Sequence, residues 1–183
     1  MNKHIKYDLF RYTQKTTFKF LIKAWLKKPG FKYSYYLRKI SGHNLNSISG
    51  LYYRYMLKKL TYKYGIQIPI NTKIGKGLFI GHFGNIVINN DAIIGENCNI
   101  AHGVTIGQTN RGKYKGCPII GDKVWIGTGS VIVGKINIGS NVLIAPLTYV
   151  NQNIPSNSIV KGNPMVIIEN KNATKEYINN ILN

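Results

Sequence analysis

Acidic residues are scarce in this chain. Six Asp and Glu stand against 25 Lys and Arg in 183 residues, a formal charge of +19. The imbalance is concentrated at one end. Residues 1–65 hold 15 Lys and Arg with Asp8 as their one acid, a charge of +14, while residues 66–183 carry +5. Such an asymmetry points to an anionic partner for the N-terminal part. Cysteine is nearly absent too: Cys98 and Cys117 are too few for a disulfide or metal framework. No apolar run approaches the roughly 20 residues needed to span a bilayer. Lys and Arg interrupt the apolar residues from the start, so no signal-peptide pattern is read, and a cytoplasmic protein is expected.

What the chain does have is a repeat. From Ile74 to Val150 an Ile or Val precedes a small residue every six positions. The starts are Ile74, Ile80, Ile88, Ile94, Ile100, Ile106, Ile120, Ile126, Ile132, Ile138, Ile144 and Val150. A six-residue period fits neither a 3.6-residue helix nor alternating hairpins. It fits a coil of three short parallel strands with tight turns, whose apolar faces are buried only when coils stack. The starts are expected to point inward. So are the residues four places later, among them Leu78, Ala92, Cys98, Val104, Val124, Ser130, Ile136, Val142 and Thr148. Gly and Asn at the corners tolerate the left-handed backbone of the turns.

The N-terminal 65 residues read as helices. Phe18, Leu21, Ile22, Trp25 and Leu26 follow the spacing of an apolar face. Arg11, Lys15, Lys19, Lys23 and Lys27 recur every four residues along another, and Pro29-Gly30 closes that helix. A short helix is expected over Tyr33–Ile40. A further one is expected from Ser49 to Tyr64, with Leu51, Tyr52, Tyr55, Met56 and Leu60 on its apolar side. The basic stripe has two readings: a solvated face, or attachment to an anionic membrane surface, which basic residues interleaved with Phe, Trp and Tyr would suit. The second would make the protein peripheral at the inner face of the membrane. No recognition motif accompanies the charge, so nucleic acid is not expected as a partner. After Pro164, Met165–Ile168 would finish the last strand and Thr174–Leu182 would form a short helix capping the coil. The expected domains are therefore a basic helical segment (1–65), a β-helix (66–168) and a tail (169–183).

Two breaks interrupt the repeat. Two extra residues fall between Ile80 and Ile88, in Gly81-His82-Phe83-Gly84-Asn85. Eight fall between Ile106 and Ile120, making a loop of Gln108–Pro118. Loops on a rigid scaffold often carry function. Of the four histidines, His82 and His102 alone lie in the repeat, each two residues past a start. Counting hexads stacks them at one corner of adjacent coils, beside both insertions. A hydroxyl acceptor needs its proton removed as it attacks a carbonyl, and an imidazole is suited to that work. Backbone amides around Gly103 or in the second loop are candidate donors to an oxyanion.

Runs such as Ile94-Gly95-Glu96-Asn97-Cys98-Asn99 and Ile126-Gly127-Thr128-Gly129-Ser130-Val131 resemble the hexapeptide-repeat acyltransferases. The stretches Lys73–Gly84 and Gly103–Gly107 are similar to the serine acetyltransferase branch, which includes O-acetyltransferases of surface polysaccharides. The resemblance covers roughly residues 66–168. It implies a mainly β fold, a left-handed parallel β-helix of hexapeptide repeats with an N-terminal α-helical segment. It also implies a homotrimer, acetyl-CoA as donor, His82 as general base with His102 beside it, and no metal. Arg111, Lys113, Lys115 and Lys161 would meet the phosphates of CoA, in a groove between neighbouring subunits. Ala145 would lie along the pantetheine arm, and Gly162 and Pro164 match the family's closing segment. Trp125 is read as an outward wall residue at a trimer contact or groove.

The sequence departs from true serine acetyltransferases at three places. Gly81 and Gln67 stand where those enzymes have Asp, and Cys117 where they have a second active-site His. Missing carboxylates argue against an amino-acid acceptor, so a sugar hydroxyl of a surface polysaccharide is the expected acceptor, with serine as the alternative. A buried thiol is expected at Cys98, and a structural role at Cys117. A non-catalytic trimeric scaffold is a reading of another class. A metal-dependent carbonic anhydrase would need three His ligands where the repeat offers two.

Overall fold

The computed structural model describes residues 2–182, which form four helices, then a stack of short parallel strands, then an irregular tail. The helices are α1 (Lys3–Thr13), α2 (Phe18–Lys27), α3 (Pro29–Ile40) and α4 (Ile48–Tyr64). The strands build three walls. The first wall holds β1 (Ile66–Gln67), β4 (Ile86–Ile88), β7 (Thr105–Gly107), β10 (Val131–Val133) and β13 (Tyr149–Val150). The second holds β2 (Lys73–Ile74), β5 (Ile93–Ile94), β8 (Ile119–Ile120) and β11 (Asn137–Ile138). The third holds β3 (Phe79–Ile80), β6 (Asn99–Ile100), β9 (Val124–Ile126), β12 (Val142–Ile144), β14 (Ser158–Lys161) and β15 (Val166–Glu169). Successive strands visit the walls in turn, giving a left-handed β-helix of about five turns.

The repeat dictates this winding. Pairs such as Ile80↔Ile100, Ile100↔Ile126 and Ile126↔Ile144 stack one hexad start on another in parallel register. All the starts from Ile80 to Val150 are buried, as are the nine inward residues four places later. Ile74, on the first coil, is half-buried. At the second corner the coils come so close that only glycine fits. A Cβ on Gly121 would sit 2.8 Å from the Gly139 carbonyl carbon. Asn97 and Asn141 take left-handed backbone at their corners, with φ of 57° and 56°.

The helical segment differs from the sequence expectation at several points. Arg11 and Lys15–Lys27 do not share one helix face. Gln14 adopts a left-handed C-cap that ends α1, and α2 restarts at Phe18. Arg11 is buried rather than solvent-facing. Pro29 does not merely stop a helix but opens α3, four residues before the expected start. Proline at the first helical turn loses no hydrogen bond, because its missing N–H would be unpaired there anyway. In α4, Leu57 and Leu60 are buried, while Leu51, Tyr52 and Tyr55 face solvent. The tail from Thr174 onward is a run of turns rather than a helix. β15 pairs antiparallel with β14 and closes the end of the coil.

A buried ion pair plugs the first coil. Asp8 on α1 meets Arg38 on α3 at 3.0 Å, with both side chains nearly inaccessible. Asp8 Oδ1 accepts from the N–H groups of Gly77 and Leu78 at 2.8 and 2.9 Å. Arg38 donates to the carbonyls of Ile74 and Gly75 at 2.7 and 2.6 Å. Arg11 reaches the Gly77 carbonyl, Asn99 Oδ1 and the Asn179 carbonyl, tying α1 to the coil and the tail. Burial pushes the Asp8 carboxyl up, while Arg38 and the two backbone donors pull it down. Asp8→Ala leaves Arg38 buried without its counter-charge and is expected to cost about 3–5 kcal/mol of stability. Urea denaturation followed by circular dichroism measures this directly, and a loss below about 1 kcal/mol would mean that the pair is not a linchpin.

Candidate active site

Strands β3, β6, β9 and β12 of the third wall end at the corner where the chain turns to the first wall. Residues two places past a start therefore stack there. His82 follows β3 and His102 follows β6, and these strands are paired with Ile80 opposite Ile100. The two rings stand edge to face with centroids 5.9 Å apart, and both are solvent-exposed. The hexad count thus places them correctly on adjacent coils.

The same corner continues along the stack. Thr128, Pro146 and Gly162 hold the equivalent positions after β9, β12 and β14. Backbone bonds run from coil to coil: Gly103 N–H to Gly84 O, Gly129 N–H to His102 O and Leu147 N–H to Thr128 O, at 2.9–3.1 Å. Gly103 is therefore not a free donor to an oxyanion, because its N–H is already spent on Gly84. Ala145, Lys161 and Gly162 lie on the histidine corner, two and three coils beyond His102, or roughly 10 and 14 Å at the usual strand spacing. Pro164 lies in the turn between β14 and β15. Sequence reasoning missed Thr128, although its offset from Ile126 equals that of each histidine from its own start.

The second insertion is elsewhere. Gln108–Pro118 leaves after β7, at the corner between the first and second walls. The span of a three-residue strand, roughly 10 Å, separates that corner from the histidines. The expectation that both insertions flank the histidines is corrected: only the first does. Thr109 and Gly116 exchange backbone hydrogen bonds, and Lys135 N–H donates to the Tyr114 carbonyl, so the loop lies folded against the next coil. Arg111, Lys113 and Lys115 are exposed on it. A single chain does not bring these cations together with Lys161.

Cys117 stands at the base of the loop, its thiol donating to Asn89 Oδ1 at 3.2 Å. Burial and the charge of Asp91 push this thiol up. Cys98 is fully buried in the coil and pushed up to about 12 by loss of water. Trp125 faces outward and is half-buried, its ring 4.9 Å from that of Tyr177 in the tail. A cleft of about 570 Å³ lies between α4 and the first coil, lined by Arg54, Leu57, Thr61, Gln67 and Ile70, and neither histidine borders it.

No family model matches the sequence. Among known proteins, the serine acetyltransferase of Staphylococcus epidermidis is 46% identical over 105 residues, which is 57% of this chain and 49% of that protein. Among solved structures, the serine acetyltransferase of Neisseria gonorrhoeae in complex with serine has a TM-score of 0.72 and 28% identity, covering 91% of this chain and 68% of that one. That of Brucella abortus in complex with coenzyme A has a TM-score of 0.72 and 26% identity, covering 91% and 66%.

Over these stretches the chain is similar to serine acetyltransferases.

It spans about half the length of the curated relatives it matches. Within the coil (66–168) the three acids stand away from the histidine corner. Asp91 lies at the loop corner, Glu96 and Asp122 lie between the second and third walls, and Asp8 is sequestered by Arg38. Glu169 and Glu176 belong to the last strand and the tail.

Raised thiols hold little thiolate near neutral pH and so alkylate slowly. Iodoacetamide is expected to label Cys117 more slowly than free cysteine, and Cys98 only after denaturation. Peptide mass mapping over time checks both, and rapid native labelling of Cys117 would mark it as activated.

Proposed function

We propose that the chain transfers an acetyl group from acetyl-CoA to a hydroxyl, with the hydroxyl of serine as the acceptor that its relatives favour. The observation that carries the reading is the edge-to-face pair of His82 and His102 at an open corner of a serine acetyltransferase-like coil. Acetyl-CoA supplies an activated thioester. His82 takes the proton of the acceptor hydroxyl as its oxygen attacks the thioester carbonyl. The new C–O bond forms, the C–S bond breaks, and the imidazolium returns its proton to the departing thiolate. His102 lies one coil away, where it would orient the acceptor or hold the neighbouring ring.

Lys161 and Gly162 lie on the same edge and would meet the far end of the donor, with Ala145 and Thr128 between. The loop cations Arg111, Lys113 and Lys115 belong to the next corner, so they would serve the site of a neighbouring subunit in a trimer. The exposure of both histidines supports that arrangement, since one chain supplies only one side of the site.

A second reading, acetylation of a sugar hydroxyl on a surface polysaccharide, is favoured by a specific observation. Among the described residues of the coil, Asp91, Glu96 and Asp122 all lie at other corners, so the coil itself brings no carboxylate to the histidines that could hold the ammonium group of serine. The two readings separate in one experiment, in which CoA release from acetyl-CoA is followed by thiol titration with serine and with a panel of sugars and cell-surface glycans. Release is expected with one acceptor class, and His82→Ala should lower it by about 10²–10⁴-fold. Binding of acetyl-CoA without turnover on any acceptor would favour a scaffold instead. Release unaffected by His82→Ala would remove that residue from the mechanism.

A further inference from the structure

The helical segment presents an apolar surface that the fold does not use. On α2, Phe18, Ile22 and Leu26 lie one turn apart and are 76%, 43% and 64% exposed. Beside them Leu21 and Trp25 descend into a groove of about 370 Å³, whose far side is aromatic and includes Tyr52 of α4. Tyr52 carries the surface onward to Ile48, Leu51 and Tyr55, which are 90%, 53% and 63% exposed. Contiguous apolar surface of this kind marks an interaction site rather than ordinary scatter.

Its border is cationic. Lys19, Lys23 and Lys27 each follow one of the exposed apolar residues of α2 and are themselves exposed. Of the 15 Lys and Arg in residues 1–65, only Arg11 and Arg38 are buried. The one acid of that segment, Asp8, is buried on Arg38 and presents no charge to the surface.

Charge decides among occupants. A second copy seated face to face would set its lysine row against this one, with no exposed acid among the described residues of either segment to answer it. A nucleic acid would satisfy the lysines but leave the aliphatic Ile22, Leu26 and Leu51 without an apolar partner. An anionic lipid surface answers both parts, since apolar side chains enter the acyl boundary while lysines meet the headgroups. We propose that the face formed by α2 and the start of α4 docks this protein onto anionic lipid membranes. This reading is independent of the acetyl-transfer reading.

Sedimentation of the full chain with vesicles tests it. Vesicles of equimolar phosphatidylcholine and phosphatidylglycerol are expected to carry the protein down at low salt, and phosphatidylcholine alone is not. The triple variant Lys19→Gln, Lys23→Gln, Lys27→Gln is expected to bind the anionic vesicles on the order of a hundredfold more weakly. The triple variant Phe18→Ser, Ile22→Ser, Leu26→Ser is expected to lose about tenfold or more, with its circular dichroism unchanged because all three residues face outward. Equal binding to both vesicle types, or no binding at low salt, would overturn the proposal. So would wild-type vesicle binding by the apolar variant, or displacement from vesicles by duplex DNA that this variant binds as well as wild type does. Dissociation of a larger species by the apolar variant, seen in sedimentation velocity without lipid while vesicle binding is absent, would assign the face to a second copy instead.

Discussion

Coil-on-coil register is the constraint from which the rest of this structure follows. From Ile80 onward each hexad start is buried and stacks on the start one coil earlier, and the strands inside each wall are hydrogen-bonded to the coils on either side. A slip of one residue would turn this aliphatic column outward and bring charged or bulky side chains into the coil. Each buried Ile or Val contributes roughly 1.5–3 kcal/mol against such a slip. The same register fixes what appears at the corners. His82 and His102 are neighbours because Ile80 and Ile100 are neighbours, although two extra residues intervene in the chain. The insertion is absorbed in the turn, where Asn85 takes a left-handed backbone with φ of 47°.

A stack of coils has an open first turn, and the N-terminal helices close it with apolar packing from Tyr33, Leu37, Ile40, Leu57 and Leu60 together with polar chemistry. Asp8, Arg11 and Arg38 saturate the carbonyl and amide groups that the first coil would otherwise leave unpaired. Two arginines are thereby withdrawn from the basic surface and given structural work. The remaining lysines stay on the outer side of the helices. The molecule so divides its charge, buried and compensated at the junction with the coil, and uncompensated on the outer helical face.

The winding was legible because its signal is periodic and repeated: twelve starts at intervals of six, broken only twice, admit one architecture. The stacked histidines followed by counting. The corner at which the long loop departs depends on which wall Ile106 belongs to, and counting hexads from the histidines would have given it. The arginine roles were harder to read. Arg11 sits on the same four-residue spacing as Lys15–Lys27, and nothing local to it signals that Gln14 ends the helix or that acceptors wait 66 and 88 residues away in Gly77 and Asn99. In α4, tyrosines and leucines occur on every side, so the periodicity could not say which side faces inward. The ring partner of Trp125 was not legible either, because Tyr177 comes from a tail with no periodic signal.

The proposed seat of the chemistry is the corner that carries His82, His102, Thr128, Pro146 and Gly162. A crystal structure of the chain with bound CoA tests that claim most directly. The account predicts the CoA thiol beside His82 and His102, with the rest of the molecule following the corner toward Ala145 and Lys161. CoA seated in the cleft lined by Arg54 and Gln67, with its thiol remote from both histidines, would contradict it.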